Sequence, residues 1–134
     1  MSLYLDASAF LKRYLIEPDG EAYGSILAGD HSWVTARHTS VEVRRNLARN
    51  LEPADLAVAR RHFEKDWALT YVVELSADVC EAACAIAEVT GVKTLDALHL
   101  AAAHQVGPGE LSFVTADAKL AKVARSLGWT VLGS

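Results

Sequence analysis

Short apolar runs alternate along the chain with longer stretches in which apolar residues recur at helical spacing. The apolar and β-branched runs predict strands at residues 3–5, 31–36, 70–75, 111–115 and 130–133. The run at 70–75 is also compatible with an extended loop. Helical spacing predicts helices at residues 7–15, in a short segment that ends at Gly29, and at residues 39–49, 54–68, 77–89, 95–106 and 116–128.

The order of these elements predicts the fold class. Strands separated by helices favour a parallel sheet covered by helices, which is an α/β domain. The chain has 134 residues, of which 51% are hydrophobic, and this is enough for one domain with a core of its own. No repeat, low-complexity tract or linker interrupts the pattern, so we expect a single domain over residues 1–134.

Composition narrows the possible environments and partners. No apolar run is long enough to span a bilayer and no signal-peptide pattern precedes Asp6, which predicts a cytoplasmic protein without a membrane partner. The net charge of −4 counts mildly against nucleic-acid binding. Basic residues nevertheless concentrate at positions 43–49, where Arg44, Arg45 and Arg49 are candidates for contacts with a phosphate backbone.

The two cysteines, Cys80 and Cys84, lie four residues apart on one face of a predicted helix. This spacing fits a disulfide poorly, and no nearby Cys or His completes a zinc site. We therefore expect two small, buried, apolar side chains.

Four acidic residues stand at the ends of strands or the beginnings of helices. Asp6 ends the first predicted strand and Asp117 follows the strand at 111–115, so both should reach the same sheet edge, where α/β proteins bind ligands. Glu42 and Asp96 lie early in two intervening helices. Ordinary helix chemistry offers an alternative for each residue, because Asp6 and Asp117 could be N-caps and Asp96 could interact with a helix dipole.

Glu42 has its own alternative explanation in helix capping. The stretch from Thr39 to Glu42 has the spacing of a capping box, in which the Glu side chain reaches back to the residue that starts the helix.

Asp96 is the acid that capping explains least well. Its helix carries no other acid between residues 95 and 104 and is apolar on nearly every face, so the carboxylate needs a partner or a cation. If the four acids converge, their oxygen ligands favour Mg²⁺ or Mn²⁺ over zinc. His99 lies three residues after Asp96, and we interpret it as a hydrogen-bonded core or surface histidine.

The order of four motifs resembles the PIN-domain family, in particular the VapC-type toxins of toxin–antitoxin pairs. These motifs are "YLDASAF", "SVEVRRNL", "TLDALHLAAA" and "FVTADAKLAKVA", and the resemblance extends from Leu3 to Val131. It implies a three-layer α/β/α sandwich with a central parallel sheet. It also implies a metal-dependent endoribonuclease that hydrolyses RNA phosphodiester bonds with Mg²⁺ or Mn²⁺.

The resemblance assigns roles to individual residues. Asp6 and Asp96 match the firmest metal ligands of the family, and Glu42 and Asp117 would complete the site directly or through water. Two hydroxyl residues would support the cluster, Thr115 directly and Ser8 in a secondary part. The implied partners are an RNA substrate, a cognate antitoxin whose C-terminal segment covers the acidic groove, and a second copy of the chain in a homodimer.

Two other classes of function remain as alternatives. A non-catalytic α/β interaction module would keep the carboxylates only as helix caps and would gain no stability from Mg²⁺ or Mn²⁺. An aspartyl-phosphate phosphatase or a receiver domain fits less well. Ser8 stands where such a phosphatase needs a second aspartate, and the adjacent acidic pair of receivers is missing.

Overall fold

The fold is built on a five-stranded, all-parallel sheet with strand order β3-β2-β1-β4-β5. The computed structural model describes residues 2–29 and 32–134. The strands are β1 (Ser2–Leu5), β2 (Ser32–Ala36), β3 (Tyr71–Val73), β4 (Leu111–Thr115) and β5 (Val131–Gly133). The five predicted strands are therefore confirmed, although His31, predicted to begin the second strand, lies outside the described residues.

Helices follow the strands in the order that the apolar pattern predicts. They are α1 (Ala7–Leu11), α2 (Gly20–Leu27), α3 (Thr39–Asn50), α4 (Pro53–Ala68), α5 (Ala77–Thr90), α6 (Thr94–Val106) and α7 (Ala118–Ser126). Within the described ranges, none of them combines the length and the apolar composition that a membrane span requires.

Two hydrophobic clusters lie on opposite faces of the sheet. Residues of α5, α6 and α7 pack on one face, and residues of α1 to α4 pack on the other. Side chains alternate between the faces along each strand, so Tyr4 contributes to the first cluster while Leu3 and Leu5 contribute to the second. The three-layer α/β/α sandwich with a central parallel sheet is confirmed.

The register of the central strands brings two predicted site segments together. Leu5 at the end of β1 pairs with Val114 in β4. The next backbone N–H, that of Asp6, donates to the carbonyl of Val114 at 3.3 Å. As a result, the residues that follow β1 and β4 meet at the carboxyl edge of the sheet.

Helix α1 is shorter than the predicted helix over residues 7–15. It ends at Leu11 and continues as tight turns, in which the N–H of Arg13 donates to the carbonyl of Phe10 at 3.0 Å. The side chains of Arg13 and Tyr14 both bind Asp66 of α4, at 2.8 Å and 2.6 Å. We attribute the early end of α1 to these contacts, which the local sequence does not encode.

The prediction that the two cysteines are buried is wrong. Cys80 and Cys84 are both exposed free thiols. Helix α5 instead buries Val79 and Ala83, each one position earlier in the chain. One residue corresponds to a rotation of about 100° around a helix, which is enough to turn the cysteine face outward.

Gly133 has no room for a side chain, which gives a test of the fold. A Cβ at this position would lie 2.6 Å from Cε1 of Tyr23 and 2.8 Å from the carbonyl oxygen of Thr115, and its φ is +104°. We expect Gly133→Ala to lower the free energy of unfolding by about 3 kcal/mol, because strain and overpacking add.

Gly91→Ala is the matched control, because Gly91 has a φ of +72° but nothing lies within 4 Å of the place that a Cβ would occupy. It should cost only about 1 kcal/mol, the strain of a left-handed residue. Urea unfolding of both variants measures the difference, and equal losses would contradict the close packing around Gly133.

Candidate active site

Asp6 is the most buried of the four predicted acids, with 4% of its surface exposed. It directly follows β1 and caps α1, because its Oδ1 accepts the N–H of Ala9 at 2.9 Å and the hydroxyl of Ser8 at 2.7 Å. Its Oδ2 accepts the hydroxyl of Thr115 at 2.5 Å. The N-cap role is confirmed, and one strand end thus holds a carboxylate in a fixed orientation.

Ser8 and Thr115 connect the segments that follow β1 and β4. The Ser8 hydroxyl oxygen accepts the N–H of Ala116 at 2.8 Å, and the Thr115 hydroxyl oxygen accepts the N–H of Asp117 at 3.0 Å. Each hydroxyl therefore receives a backbone hydrogen bond and donates its own proton to Asp6. The structure brings these two predicted supporting residues into direct contact with the first aspartate.

Asp117 caps the last helix. Its Oδ1 accepts the N–H groups of Lys119 at 2.9 Å and Leu120 at 3.2 Å at the beginning of α7. The side chain is exposed, unlike that of Asp6. Its predicted N-cap role is confirmed, and the cap also orients the carboxylate at the carboxyl edge of the sheet.

Asp96 is a half-buried carboxylate in the first turn of α6. It forms no hydrogen bond and no ion pair with any residue in the described part of the chain. Burial raises its pKa to about 6, and the negative charge of Asp117 adds to the shift, followed by smaller effects of Asp6 and Glu42. These effects show that the four predicted acids share one region of the molecule.

The pKa of Asp6 is also raised above its usual range, chiefly by burial. The neighbouring His99 and the hydrogen bonds from Thr115, Ser8 and Ala9 act in the opposite direction. Asp6 and Asp96 thus both resist ionisation, chiefly because burial disfavours their charged forms.

The predicted capping box at Thr39 and Glu42 is wrong. Helix α3 has no side-chain cap bond, and the Thr39 hydroxyl accepts from Thr35 at 2.8 Å. Glu42 turns instead toward α6, where its Oε1 lies 2.7 Å from Nε2 of His99. Nε2 of His38 lies 3.6 Å from the same oxygen. A tertiary hydrogen bond has replaced the local one.

The rings of His99 and His38 pack against each other beside Glu42, with centroids 4.2 Å apart and planes tilted by 39°. His99 is 1% exposed, and its Nδ1 lies 2.7 Å from the hydroxyl oxygen of Tyr4, so the interpretation of a hydrogen-bonded core histidine is confirmed. Nε2 of His38 lies 3.2 Å from the carbonyl oxygen of Leu95. Burial and His99 lower the pKa of His38 to about 4, which leaves its ring neutral at pH 7.

His38 and His99 are both absent from the predicted site residues, since His99 is interpreted there as a hydrogen-bonded core or surface histidine. Signals for both were present, since His38 follows a predicted strand at the carboxyl edge and His99 lies one turn after Asp96. In the described residues, His38, Glu42 and His99 place their potential ligand atoms within 4.8 Å of one another. Asp6, Asp96 and Asp117 do not form such a compact group in the described residues. The structure therefore gathers the acids in one region, but their oxygen atoms are not close enough together to form a complete set of metal ligands.

The donor chemistry of the acidic set fits a hard divalent cation. The four carboxylates offer only oxygen atoms, and none forms an ion pair with Lys or Arg within residues 2–29 and 32–134. Among the same residues Asp96 has no hydrogen-bond donor, and Oδ2 of Asp6 has one. Mg²⁺ and Mn²⁺ prefer such oxygen ligands, and the positive charge of either ion would favour the ionised forms of Asp6 and Asp96, which burial disfavours.

Comparisons with known proteins identify the family of this chain. The family model of the PIN domain matches residues 3–132. The chain belongs to the PIN domain family. It is 34% identical over 134 residues to Ribonuclease VapC45 of Mycobacterium tuberculosis, and the match covers 96% of this chain and 93% of the relative.

Two solved structures share the PIN fold with this chain. Mycobacterium tuberculosis VapC20, described as a sarcin-ricin loop cleaving toxin, has a TM-score of 0.74 at 15% sequence identity. The match covers 96% of this chain and 97% of the VapC20 chain. A toxin-antitoxin complex from Klebsiella pneumoniae has a TM-score of 0.67 at 17% identity and covers 88% of each chain.

The raised pKa of Asp96 predicts a pH-dependent loss of stability in the metal-free protein. The folded state holds the Asp96 proton up to about pH 6, while the unfolded state releases it near pH 4, so stability falls as the pH rises between these values. Because the side chain is half-exposed, we expect a loss of about 1 kcal/mol after solvent screening.

Unfolding of wild type and Asp96→Asn by urea at pH 4 and pH 7 measures this effect as a difference. The variant should gain about 1 kcal/mol relative to wild type between the two pH values, since it lacks the titrating group. The control Asp55→Asn removes an exposed acid of α4 and should change by less than about 0.5 kcal/mol. A constant difference for Asp96→Asn would contradict the shifted pKa.

Proposed function

We propose that this protein is a metal-dependent endoribonuclease, the toxin of a type II toxin–antitoxin pair, which hydrolyses RNA phosphodiester bonds at the acidic carboxyl edge of its sheet. The observation that carries the proposal is the state of Asp96. This half-buried carboxylate has no partner among the described residues, and burial and three neighbouring acids raise its pKa. A site of this kind is suited to a divalent cation and has no evident purpose without one.

Family membership supports the same function. The relative with 34% identity is named a ribonuclease, and VapC20 is described as a toxin that cleaves the sarcin-ricin loop. The resemblance of its motif order to the PIN-domain family supports assigning the acidic positions of the site to Asp6, Glu42, Asp96 and Asp117.

In this proposal, Asp6 and Asp96 hold Mg²⁺ or Mn²⁺, and Glu42 and Asp117 complete the site directly or through water. A bound ion of this type makes a water molecule more acidic and stabilises charge that develops on a phosphoryl group. Thr115 and Ser8 donate to Asp6 and so favour its ionised form and fix its orientation. The backbone N–H of Lys119, at the N-terminus of α7, likewise fixes the orientation of the exposed carboxylate of Asp117.

Helix α3 offers a surface for the RNA backbone next to this edge. Arg44 and Arg45, two and three residues after Glu42, are exposed and line a groove of about 420 Å³ together with Arg60 of α4. We propose that they contact phosphates, which would offset the unfavourable net charge of −4.

A non-catalytic interaction module is the second candidate function, because Asp6 and Asp117 do act as N-caps. Capping gives each of these two residues a structural role, but it leaves Asp96 without an interaction among the described residues. Divalent-ion binding therefore separates the two candidates, since the interaction module has no use for Asp96.

Titration of Mn²⁺ into metal-free protein by calorimetry tests the function. Wild type should bind the ion, and Asp96→Asn should lose this binding. In an RNA cleavage assay with Mn²⁺, wild type should cleave RNA and Asp96→Asn should lose at least about 100-fold in activity, because a metal ion contributes several kcal/mol to such a reaction. Asp55→Asn is the control and should behave as wild type. Full metal-dependent activity in Asp96→Asn would refute the mechanism, and absent Mn²⁺ binding in wild type would favour the interaction module.

We also propose that the protein forms a homodimer and binds a cognate antitoxin, as the resemblance implies. The support is the structural similarity to a chain of a toxin-antitoxin complex. Static light scattering of the purified protein should give about twice the chain mass of 14.4 kDa. A mass of one chain across micromolar concentrations would contradict the homodimer.

A further inference from the structure

A buried chain of hydrogen bonds ends at one of the predicted acids. The hydroxyl of Tyr4 lies 2.7 Å from Nδ1 of His99, and Nε2 of His99 lies 2.7 Å from Oε1 of Glu42. Tyr4 is 0% exposed and His99 is 1% exposed. The chain therefore connects the central strand β1, through α6, to the first turn of α3.

The chemistry of the three groups fixes the direction of the hydrogen bonds. An ionised carboxylate can only accept, so Nε2 of His99 must donate to Glu42. In the neutral ring Nδ1 is then an acceptor, and the Tyr4 hydroxyl donates to it. By donating to Nδ1, Tyr4 thus supports the tautomer of His99 that places a proton toward Glu42.

The surroundings of His99 hold its ring in place. The ring of Tyr4 is stacked on Phe113 with centroids 5.1 Å apart, which fixes the position of its hydroxyl. On the other side His38 packs against His99, and Nε2 of His38 approaches the carbonyl of Leu95 on the same helix. A rigid donor of this kind can orient a flexible side chain.

We propose that Tyr4 and His99 are positioning residues for Glu42, which hold its carboxylate with Oε1 bound to His99 and leave Oε2 for the metal site. The inference rests on the proposed function. Without this contact Glu42 would be free to cap its own helix or to turn into solvent. Residues that orient a metal ligand in this way typically contribute about 10-fold to 100-fold to metal affinity or activity.

Two substitutions of His99 separate its two hydrogen bonds. His99→Gln places an amide N–H near the position of Nε2 and can still donate to Glu42. His99→Asn is shorter, so its amide lies near Nδ1 and reaches only Tyr4. Both variants bury an amide at residue 99, so the cost of burying that amide is common to both. They differ in whether the amide reaches Glu42.

The experiment is Mn²⁺ calorimetry on wild type and both variants, with thermal unfolding to confirm that each variant folds. We expect Mn²⁺ affinity to fall by about 10-fold to 100-fold in His99→Asn and by less than about threefold in His99→Gln. Tyr4→Phe keeps the stacked ring, so it tests the proposal even if a His99 variant fails to fold, and it should weaken Mn²⁺ binding by about threefold to tenfold.

Each outcome bears on a different statement. Unchanged Mn²⁺ affinity in folded His99→Asn and in Tyr4→Phe, or equal losses in the two His99 variants, would overturn the positioning role while the proposed function stands. Absence of Mn²⁺ binding in wild type would overturn the proposed function and the positioning role with it. Nitrogen NMR of wild type adds an independent readout, since the proton must reside on Nε2 of His99, and a proton on Nδ1 alone would overturn the proposal.

Discussion

The hydrogen bond from the Thr115 hydroxyl to the Asp6 carboxylate joins the two strands on which the site depends. At 2.5 Å it connects the residue after β1 to the last residue of β4, across the centre of the sheet. Ser8 adds a second link between the same segments, through Asp6 and the backbone of Ala116. Because both strands are buried on both faces, their carboxyl ends have little freedom, and the helices α1 and α7 begin from fixed points.

This arrangement concentrates negative charge at one sheet edge. Asp6 and Asp117 accept N–H donors from the first turns of their helices, which holds both carboxylates in place. Asp96 receives none from the described residues, and burial, followed by the negative charge of Asp117, raises its pKa. The protein therefore keeps a half-buried carboxylate at Asp96 that a neutral residue at this position would avoid. Such unfavourably placed ionisable groups are typical of functional sites.

Local sequence patterns were sufficient for most of the fold, because the strands and helices here follow apolar periodicity and ordinary helix caps. The sheet edge shared by Asp6 and Asp117 could be predicted for the same reason, since parallel strands end together. The early end of α1 could not be predicted, because it accompanies contacts of Arg13 and Tyr14 with Asp66, 53 and 52 residues further along the chain. The partner of Glu42 was missed on similar grounds, since His99 is 57 residues away in the sequence and the local capping pattern was misleading.

Helix capping and metal binding are compatible roles for Asp6, and its two oxygen atoms show why. Oδ1 accepts the N–H of Ala9 and the hydroxyl of Ser8, which accounts for the cap, while Oδ2 accepts only the Thr115 hydroxyl among the described residues. A carboxylate oxygen has two lone pairs, so Oδ2 retains one for another ligand. Glu42 is divided in the same way, since His99 binds Oε1 and no donor within residues 2–29 and 32–134 binds Oε2. In both residues the protein uses one oxygen to fix the carboxylate and leaves capacity on the other, which is the arrangement that a preorganised cation site requires.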